Sequence, residues 1–416
     1  MGVDKKEVTD VERPGRRRFL RNSPALAGIA LGPRGFTPTL EQDAATREMN
    51  PAGFRPYGER SEFERSLRTM LPGPAGLTPL QDFHGIITPS ALHYVFNHYG
   101  VPHIDPQQHR VLIHGMVERE LLYTMDDLRR LPSVSRVHFI ECGTNSSGAL
   151  KGAQTVIAHG LTSCAEWTGV LLSVLLKAAG VRRGASWVVV EGADAGKHSK
   201  SLPLAKAMDD ILLAYGQNGE ALRPENGYPL RLVVPGFEGV GNVKWVRRIK
   251  VTNQPYMQKA ESAGYANVRL TGKVRWFQFE LGPKSVITRP SGGQKLPGTG
   301  FYEVSGLAWS GGGAVSKVEI STENGTSWKN AILQEPVHRY AHTRFRFNWD
   351  WDGRETVLLS RCTDEAGQVQ PTLRQMSHAY GVGLDYWKTT TNLFNHINFI
   401  QPWKIGRDGS VSNALL

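Results

Sequence analysis

The chain has 416 residues, 40% hydrophobic and 21% charged, with a net charge of +11. That length and composition fit a globular protein of two or three domains, and the positive surplus suits an anionic substrate or an acidic protein partner. Three cysteines (Cys142, Cys164, Cys362) make no disulfide framework, no C-x-x-C-H haem motif or paired C-x-x-C zinc pattern occurs, and basic residues do not interleave with aromatic ones as on a nucleic-acid surface.

Residues 1–35 hold eight basic and four acidic side chains. Arg16-Arg17-Arg18-Phe19-Leu20 matches the twin-arginine export pattern, and a mildly apolar stretch from Pro24 to Gly32 follows. The expectation is a signal peptide over 1–35 and a periplasmic mature protein; this route exports folded proteins and so suits a chain that acquires a cofactor before export. The apolar stretch is too short to span a bilayer, and no other segment is apolar enough, so no membrane span is expected. Residues 36–80, rich in Pro, Gly, Arg and Glu, read as an extended lead-in with little regular structure.

The first domain is placed at 81–265. Its histidines are dense (His84, His93, His98, His103, His109, His114, His138) but fit no zinc spacing, and most read as surface or satisfied polar residues. Val111–Val117 reads as a strand with a turn, and Met125–Pro132 as a short helix stopped by proline. Val137, Phe139 and Ile140 favour a strand that runs through Glu141 to Cys142, and Gly143-Thr144-Asn145-Ser146-Ser147-Gly148 ends it as a loop. A thiol there suits a soft metal; taken alone, it reads better as a small buried hydrophobe. Trp167, Val170, Leu171, Val174, Leu175 and Ala178 follow helical spacing up to Gly180, which predicts a helix packed on the strand Trp187–Val190. Cys164 sits just before that helix, whose N-terminus would favour a thiolate. Local physics does not choose between Cys142 and Cys164.

Two glycine loops fail as nucleotide sites. Gly192-Ala193-Asp194-Ala195-Gly196-Lys197-His198 is one residue short of a phosphate-binding loop and ends in His where Ser or Thr would hold magnesium. Gly236-Phe237-Glu238-Gly239-Val240-Gly241 has its glycines in the wrong order for a dinucleotide fingerprint. No G-x-S-x-G elbow occurs. From about residue 268 short alternating segments take over: Tyr302–Trp309, Val315–Thr322, Phe345–Trp351 and Thr356–Leu359, with Asn324-Gly325 as a hairpin signal. They predict an immunoglobulin-like sandwich over 266–385, followed by a C-terminal tail at 386–416.

Over most of residues 80–385 the chain resembles the sulfite oxidase family of molybdopterin enzymes. The resemblance is carried by Asn97-His98-Tyr99-Gly100-Val101-Pro102, the strand into Cys142 with Asn145 beyond it, and Trp167-Thr168-Gly169. Glu191-Gly192-Ala193-Asp194, Gly227-Tyr228-Pro229 to Gly236, Val243-Lys244-Trp245 and Gly306-Leu307-Ala308-Trp309 extend it. Ile140-Glu141-Cys142, the run from Cys164 to Gly169, and the tail around Asn395-His396 and Arg407-Asp408-Gly409 are most similar to the molybdenum subunit of sulfane dehydrogenase. The fold class implied is α+β: a mixed α/β molybdopterin domain followed by an immunoglobulin-like dimerisation domain.

The resemblance also implies a molybdenum-molybdopterin cofactor with Cys142 as metal ligand and Cys164 in a supporting or structural place. Tyr94, Val95, Phe96, Asn97, His98, Asp194, Asn226, Arg231, Asn242, Val243 and Lys244 fall where the family holds the pterin and its phosphate. Tyr265 matches the active-site tyrosine, with Tyr256 as the alternative. Phe96, Ser147 and Tyr380 stand where the family's sulfite enzymes carry arginines, and Thr144 replaces a usual glycine; lost arginines favour a substrate less charged than sulfite. The implied partners are a separate cytochrome c, a sulfur-carrier protein and a second copy of the chain. A cofactor-binding scaffold in a sulfur-oxidation complex is the alternative to an enzyme.

Overall fold

The computed structural model of the chain describes residues 57–415, apart from 83, 263–264, 269–271 and 391–395. The signal peptide expected over 1–35, the first part of the lead-in and Asn395 lie outside the described residues.

Two sheets build the first domain. One runs, in spatial order, Leu121–Thr124, Arg110–Gly115, Val246–Thr252, Trp187–Gly192 and Ser199–Pro203, with Arg110–Gly115 parallel to Val246–Thr252. The other runs Glu220–Ala221, Leu212–Gln217, Thr162–Leu171 and Val134–Glu141, with Arg231–Val233 also paired to Leu212–Gln217. One apolar core joins them. Ile113, Val190 and Ile249 of the first sheet share it with Val170, Leu213 and Leu232 of the second. Helix Leu172–Ala179 adds Leu172, Leu175, Leu176 and Ala179. Each such buried Val, Leu or Ile side chain contributes about 1.5–3 kcal/mol relative to exposure.

The expected helix is shorter than its apolar period implies. Trp167, Val170 and Leu171 are extended, because Thr162–Leu171 is a ten-residue strand hydrogen-bonded on one side to Val134–Glu141 and on the other to Leu212–Gln217. Two ladders outweigh helical spacing at residues that also favour strands. Gly180, at φ 73°, ends the helix by donating to the Leu176 carbonyl at 3.1 Å. The short helix Met125–Arg130 forms as expected, with Thr124 and Asp127 as a reciprocal capping box. The described part of the lead-in holds Thr69–Met70 and Ala75–Leu77, which form a small sheet with Val95–Phe96.

The second domain is a β-sandwich of two antiparallel sheets. Lys284–Arg289, Gly300–Trp309, Thr343–Trp351 and Ile332–Leu333 form one; Lys329–Asn330, Val315–Ser321, Thr356–Asp364, Trp403–Ile405 and Val411–Asn413 form the other. Asn324 and Gly325 both take positive φ, as the hairpin signal requires. The last two strands carry the sandwich past residue 385, because Trp403 and Ile405 bury completely against Val304, Phe345 and Leu358. Among the described residues, no helix is long and apolar enough to cross a membrane.

Candidate functional site

Side chains along the strand Val134–Glu141 alternate between two faces. Phe139 packs against Leu307 and Trp309 of the second domain, whereas Ile140 and Cys142 join Tyr94 and Trp167 on the opposite side. The same register places the other cysteine. Cys164 stands across the ladder from Phe139 and so shares its face, fully buried, with the His342 backbone N–H donating to its sulfur at 3.4 Å. It lies within a strand rather than at a helix N-terminus, and burial pushes its thiol up to about 12. The helix-terminus argument for Cys164 therefore fails.

Cys142 is 9% exposed and forms part of the wall of a cavity that opens to solvent. Burial raises its thiol pKa, helped by the Glu238 and Glu141 charges and opposed by hydrogen bonding at Thr144, whose Oγ1 lies 3.4 Å from Sγ. A bound cation would reverse that and draw off the proton. Thr144, unexpected in this loop, is thus the sulfur's hydrogen-bond partner.

The cavity gathers most of the residues singled out in the sequence. Tyr94, Phe96, Asn97, His98, Asp194, Asn226, Arg231, Asn242, Lys244 and Tyr265 all line it with Cys142. Val95 and Val243 do not; both are buried in the packing behind the wall. Tyr265 places its hydroxyl 3.2 Å from His98 Nε2, while Tyr256 lies away from the cavity with its hydroxyl against Lys250 Nζ. Of the positions where sulfite enzymes carry arginines, Phe96 faces the cavity. Ser147 starts a short 3-10 turn, and the Tyr380 hydroxyl donates to the His396 carbonyl at 2.9 Å, both outside the lining.

Two cations also line the cavity. Arg231 lies with its guanidinium 4.8 Å from the Trp167 ring centre and donates to the Asn226 carbonyl at 2.9 Å. Burial holds it down to about 10. Lys244 donates to the Glu225 carbonyl at 3.0 Å and to Asn97 Oδ1; burial first, and the Arg231 charge second, lower it to about 7. Among the described residues neither cation is ion-paired: the nearby Glu225 carboxylate is taken by Arg68 at 2.6 Å. Desolvated cations without a counter-charge favour an anion between them, and the pair suits a phosphate.

The rest of the wall suits a head rich in N–H groups. His93 Nδ1 lies 2.9 Å from the Tyr94 carbonyl, which assigns the ring proton to Nδ1 and leaves buried Nε2 as an acceptor without a partner. Asn226 Oδ1 is likewise buried and unpartnered, and the Asp194 carboxylate accepts from the His198 backbone N–H at 2.9 Å. Among the described residues no three His, Cys, Asp or Glu side chains gather to cage a metal. A metal at Cys142 would bring further ligands with it. An anionic tail, a hydrogen-bonding head and a soft-metal end are what a molybdopterin presents, so the donor set fits that group.

Known proteins agree. Residues 98–260 match the oxidoreductase molybdopterin binding domain and residues 275–390 the Mo-co oxidoreductase dimerisation domain. The crystal structure of the sulfane dehydrogenase SoxCD from Paracoccus pantotrophus is similar at a TM-score of 0.82 and 37% identity, over 89% of this chain and 96% of the matched one. The chain belongs to the sulfite oxidase family of molybdopterin enzymes. Among curated members, mitochondrial sulfite oxidase of Mus musculus is 29% identical over 375 residues, 80% of this chain and 66% of the relative. A nitrate reductase of Brassica napus is 34% identical over 331 residues, 69% of this chain and 36% of the relative. The chain thus spans about a third of that nitrate reductase. Domain match and relatives together imply a molybdenum-molybdopterin cofactor for this sulfite oxidase family member.

Sequence reasoning missed His93, Tyr99, His198, Gly239, Val240 and Trp245 in the lining. Both glycine loops set aside as nucleotide sites border the cavity: Asp194 and His198 flank one, and Gly239–Gly241 is a 3-10 turn of the other. Gly239 has no room for a side chain. A Cβ there would stand 2.6 Å from the Glu141 carbonyl oxygen and 2.8 Å from Tyr94 Oη. Gly239→Ala is expected to push the Tyr94 wall inward and to cost about 1–3 kcal/mol. Thermal unfolding together with cofactor content checks this; wild-type values for both would contradict it.

Proposed function

We propose that this protein is a molybdenum oxidoreductase that adds an oxygen atom to reduced sulfur, preferring sulfane sulfur held on a carrier to free sulfite. In this reading the electrons leave to a separate cytochrome c. The single observation that carries the proposal is Cys142 on the wall of a cavity that Arg231 and Lys244 also line, without carboxylate partners among the described residues. Similarity to a sulfane dehydrogenase supports the substrate class.

Bound molybdenum-molybdopterin would supply the oxygen-atom transfer and store the two electrons. The chain's own residues do the rest. Arg231 and Lys244 would hold the phosphate, and Asp194, His93 and Asn226 would supply hydrogen-bond acceptors toward the pterin head. Cys142 would give its thiolate to the metal, a soft donor for a soft site. Burial raises the Tyr265 hydroxyl well above its ordinary pKa, so near neutrality it keeps its proton, and its oxygen lies 3.2 Å from His98 Nε2 on the cavity wall. Phe96 lines the cavity where sulfite enzymes place a guanidinium, leaving a free sulfite dianion without a charge partner there. A sulfane sulfur carries less charge and escapes that penalty.

The dimerisation-domain match supports a homodimer, and Arg16-Arg17-Arg18 supports twin-arginine export to the periplasm. Steady-state reduction of cytochrome c with sulfite and with carrier-bound sulfane sulfur tests the substrate. The expectation is a kcat/KM at least about tenfold higher for the sulfane substrate, a modest difference of transition-state binding. Preference for sulfite would overturn the substrate assignment. No turnover by molybdenum-loaded protein on either substrate would favour the scaffold reading.

A further inference from the structure

We propose that Lys284, on the first strand of the second domain, acts through Glu141 as a positioning residue for Cys142. Glu141 immediately precedes Cys142 and is 1% exposed, pointing away from the cavity into the contact between the domains. Its carboxylate is fully engaged. Oε1 accepts from Lys284 Nζ and, at 2.9 Å, from Asn145 Nδ2, while Oε2 accepts from Trp309 Nε1 at 2.7 Å. Lys284 and Trp309 belong to the adjacent sandwich strands Lys284–Arg289 and Gly300–Trp309; indeed they stand opposite each other in that ladder.

The grip closes on both sides of the cysteine. Lys284 Nζ also donates to Ser146 Oγ at 3.2 Å, and Asn145 Oδ1 accepts from the Leu161 backbone N–H at 3.1 Å. Ser146 sits at φ 74°, a conformation that costs a non-glycine residue energy and needs surrounding bonds to hold it. Those bonds run from its N–H to the Ala158 carbonyl at 2.8 Å and between its hydroxyl and His159 Nδ1 at 2.9 Å. One cation of the second domain thus fixes the residue before Cys142 and the loop after it.

A buried ion pair is a poor device for stability alone, since well-packed apolar side chains of like volume do as well or better. What it supplies here is direction. The carboxylate has one place where all its donors converge, and the strand's alternation then aims Cys142 into the cavity. Docking of the second domain becomes a condition for correct presentation of the thiolate.

The inference rests on Cys142 as the metal ligand. Its test compares the cofactor-loaded wild type with Lys284→Gln, Glu141→Gln, the double variant and Trp309→Phe, the last removing only one N–H donor. Molybdenum content, the Mo(V) electron paramagnetic resonance spectrum, Tm and kcat are read for each. Lys284→Gln and Glu141→Gln each leave a charge buried alone. Both are expected to shift the Mo(V) spectrum and lower metal retention about 10–100-fold, the usual effect of losing a partner that orients a ligand. The double variant, with two amides able to bond each other, should return toward the wild-type spectrum, and Trp309→Phe should shift it slightly. Should Lys284→Gln fail to fold, Glu141→Gln and Trp309→Phe still decide the matter, and the double variant serves as the rescue control. Wild-type spectra in the folded single variants, with only Tm reduced, would make the pair structural and overturn the inference alone. A wild type without any molybdenum signal would overturn the reading of Cys142 as well.

Discussion

Replacing Cys142 by Ser is expected to lower molybdenum-dependent turnover by more than about 100-fold, because residues that merely orient a metal ligand are already worth 10–100-fold. A hydroxyl is a harder and far less acidic donor than a thiol, so it neither matches the metal nor gives up its proton readily. Cys164→Ser should behave in the opposite way. Its sulfur faces Phe139, Leu307 and Trp309, away from the cavity. A hydroxyl there is expected to reduce stability by about 1–3 kcal/mol and leave turnover per bound molybdenum unchanged. Metal content, turnover and thermal unfolding of the two variants make the comparison. Loss of the metal from Cys164→Ser but not from Cys142→Ser would reverse the assignment.

Arg231→Met is expected to weaken cofactor retention by about 1.5–3 kcal/mol, the worth of a hydrogen bond to a charged group. That is roughly ten- to a hundred-fold in affinity. Methionine keeps an apolar contact with Trp167, so the loss isolates the charge. Lys244→Met should act in the same direction and add a pH signature. Without an anion, burial holds Lys244 at about 7; a bound phosphate raises that value by charge attraction. Binding then takes up a proton. Retention should be strongest below pH ~7 and fall as pH rises from ~7 toward the raised pKa, following the linkage between proton uptake and affinity. In Lys244→Met that slope should flatten. Cofactor release measured at several pH values checks both statements; a wild-type slope unchanged in Lys244→Met would contradict the second.

Much of this site is visible in the amino-acid order because its parts are short local signals. The apolar run into Cys142, the cations Arg231 and Lys244, and the acid Asp194 each stand in a motif that survives without tertiary context. The immunoglobulin-like strands were legible for the same reason, since alternation and the Asn324-Gly325 turn are local. What failed needed pairing partners. The helix expected from Trp167 became a strand up to Leu171 because ladders from distant segments claimed it on both edges. Choosing between Cys142 and Cys164 required the register that sets Cys164 opposite Phe139. The clamp on Glu141 joins residues more than a hundred positions apart in sequence, and no local pattern announces it. His93 looked like one histidine among many until it proved to line the cavity with its Nε2 buried and without a partner.

The central claim is that this cavity holds a molybdopterin whose metal meets Cys142. Quantifying molybdenum and pterin in the folded chain, purified from a host that makes the cofactor, tests it most directly. The account predicts molybdenum and pterin in equal amounts, one of each per chain, with molybdenum lost in Cys142→Ser. A folded wild-type protein free of both, or a Cys142→Ser protein that keeps its molybdenum in full, would contradict it.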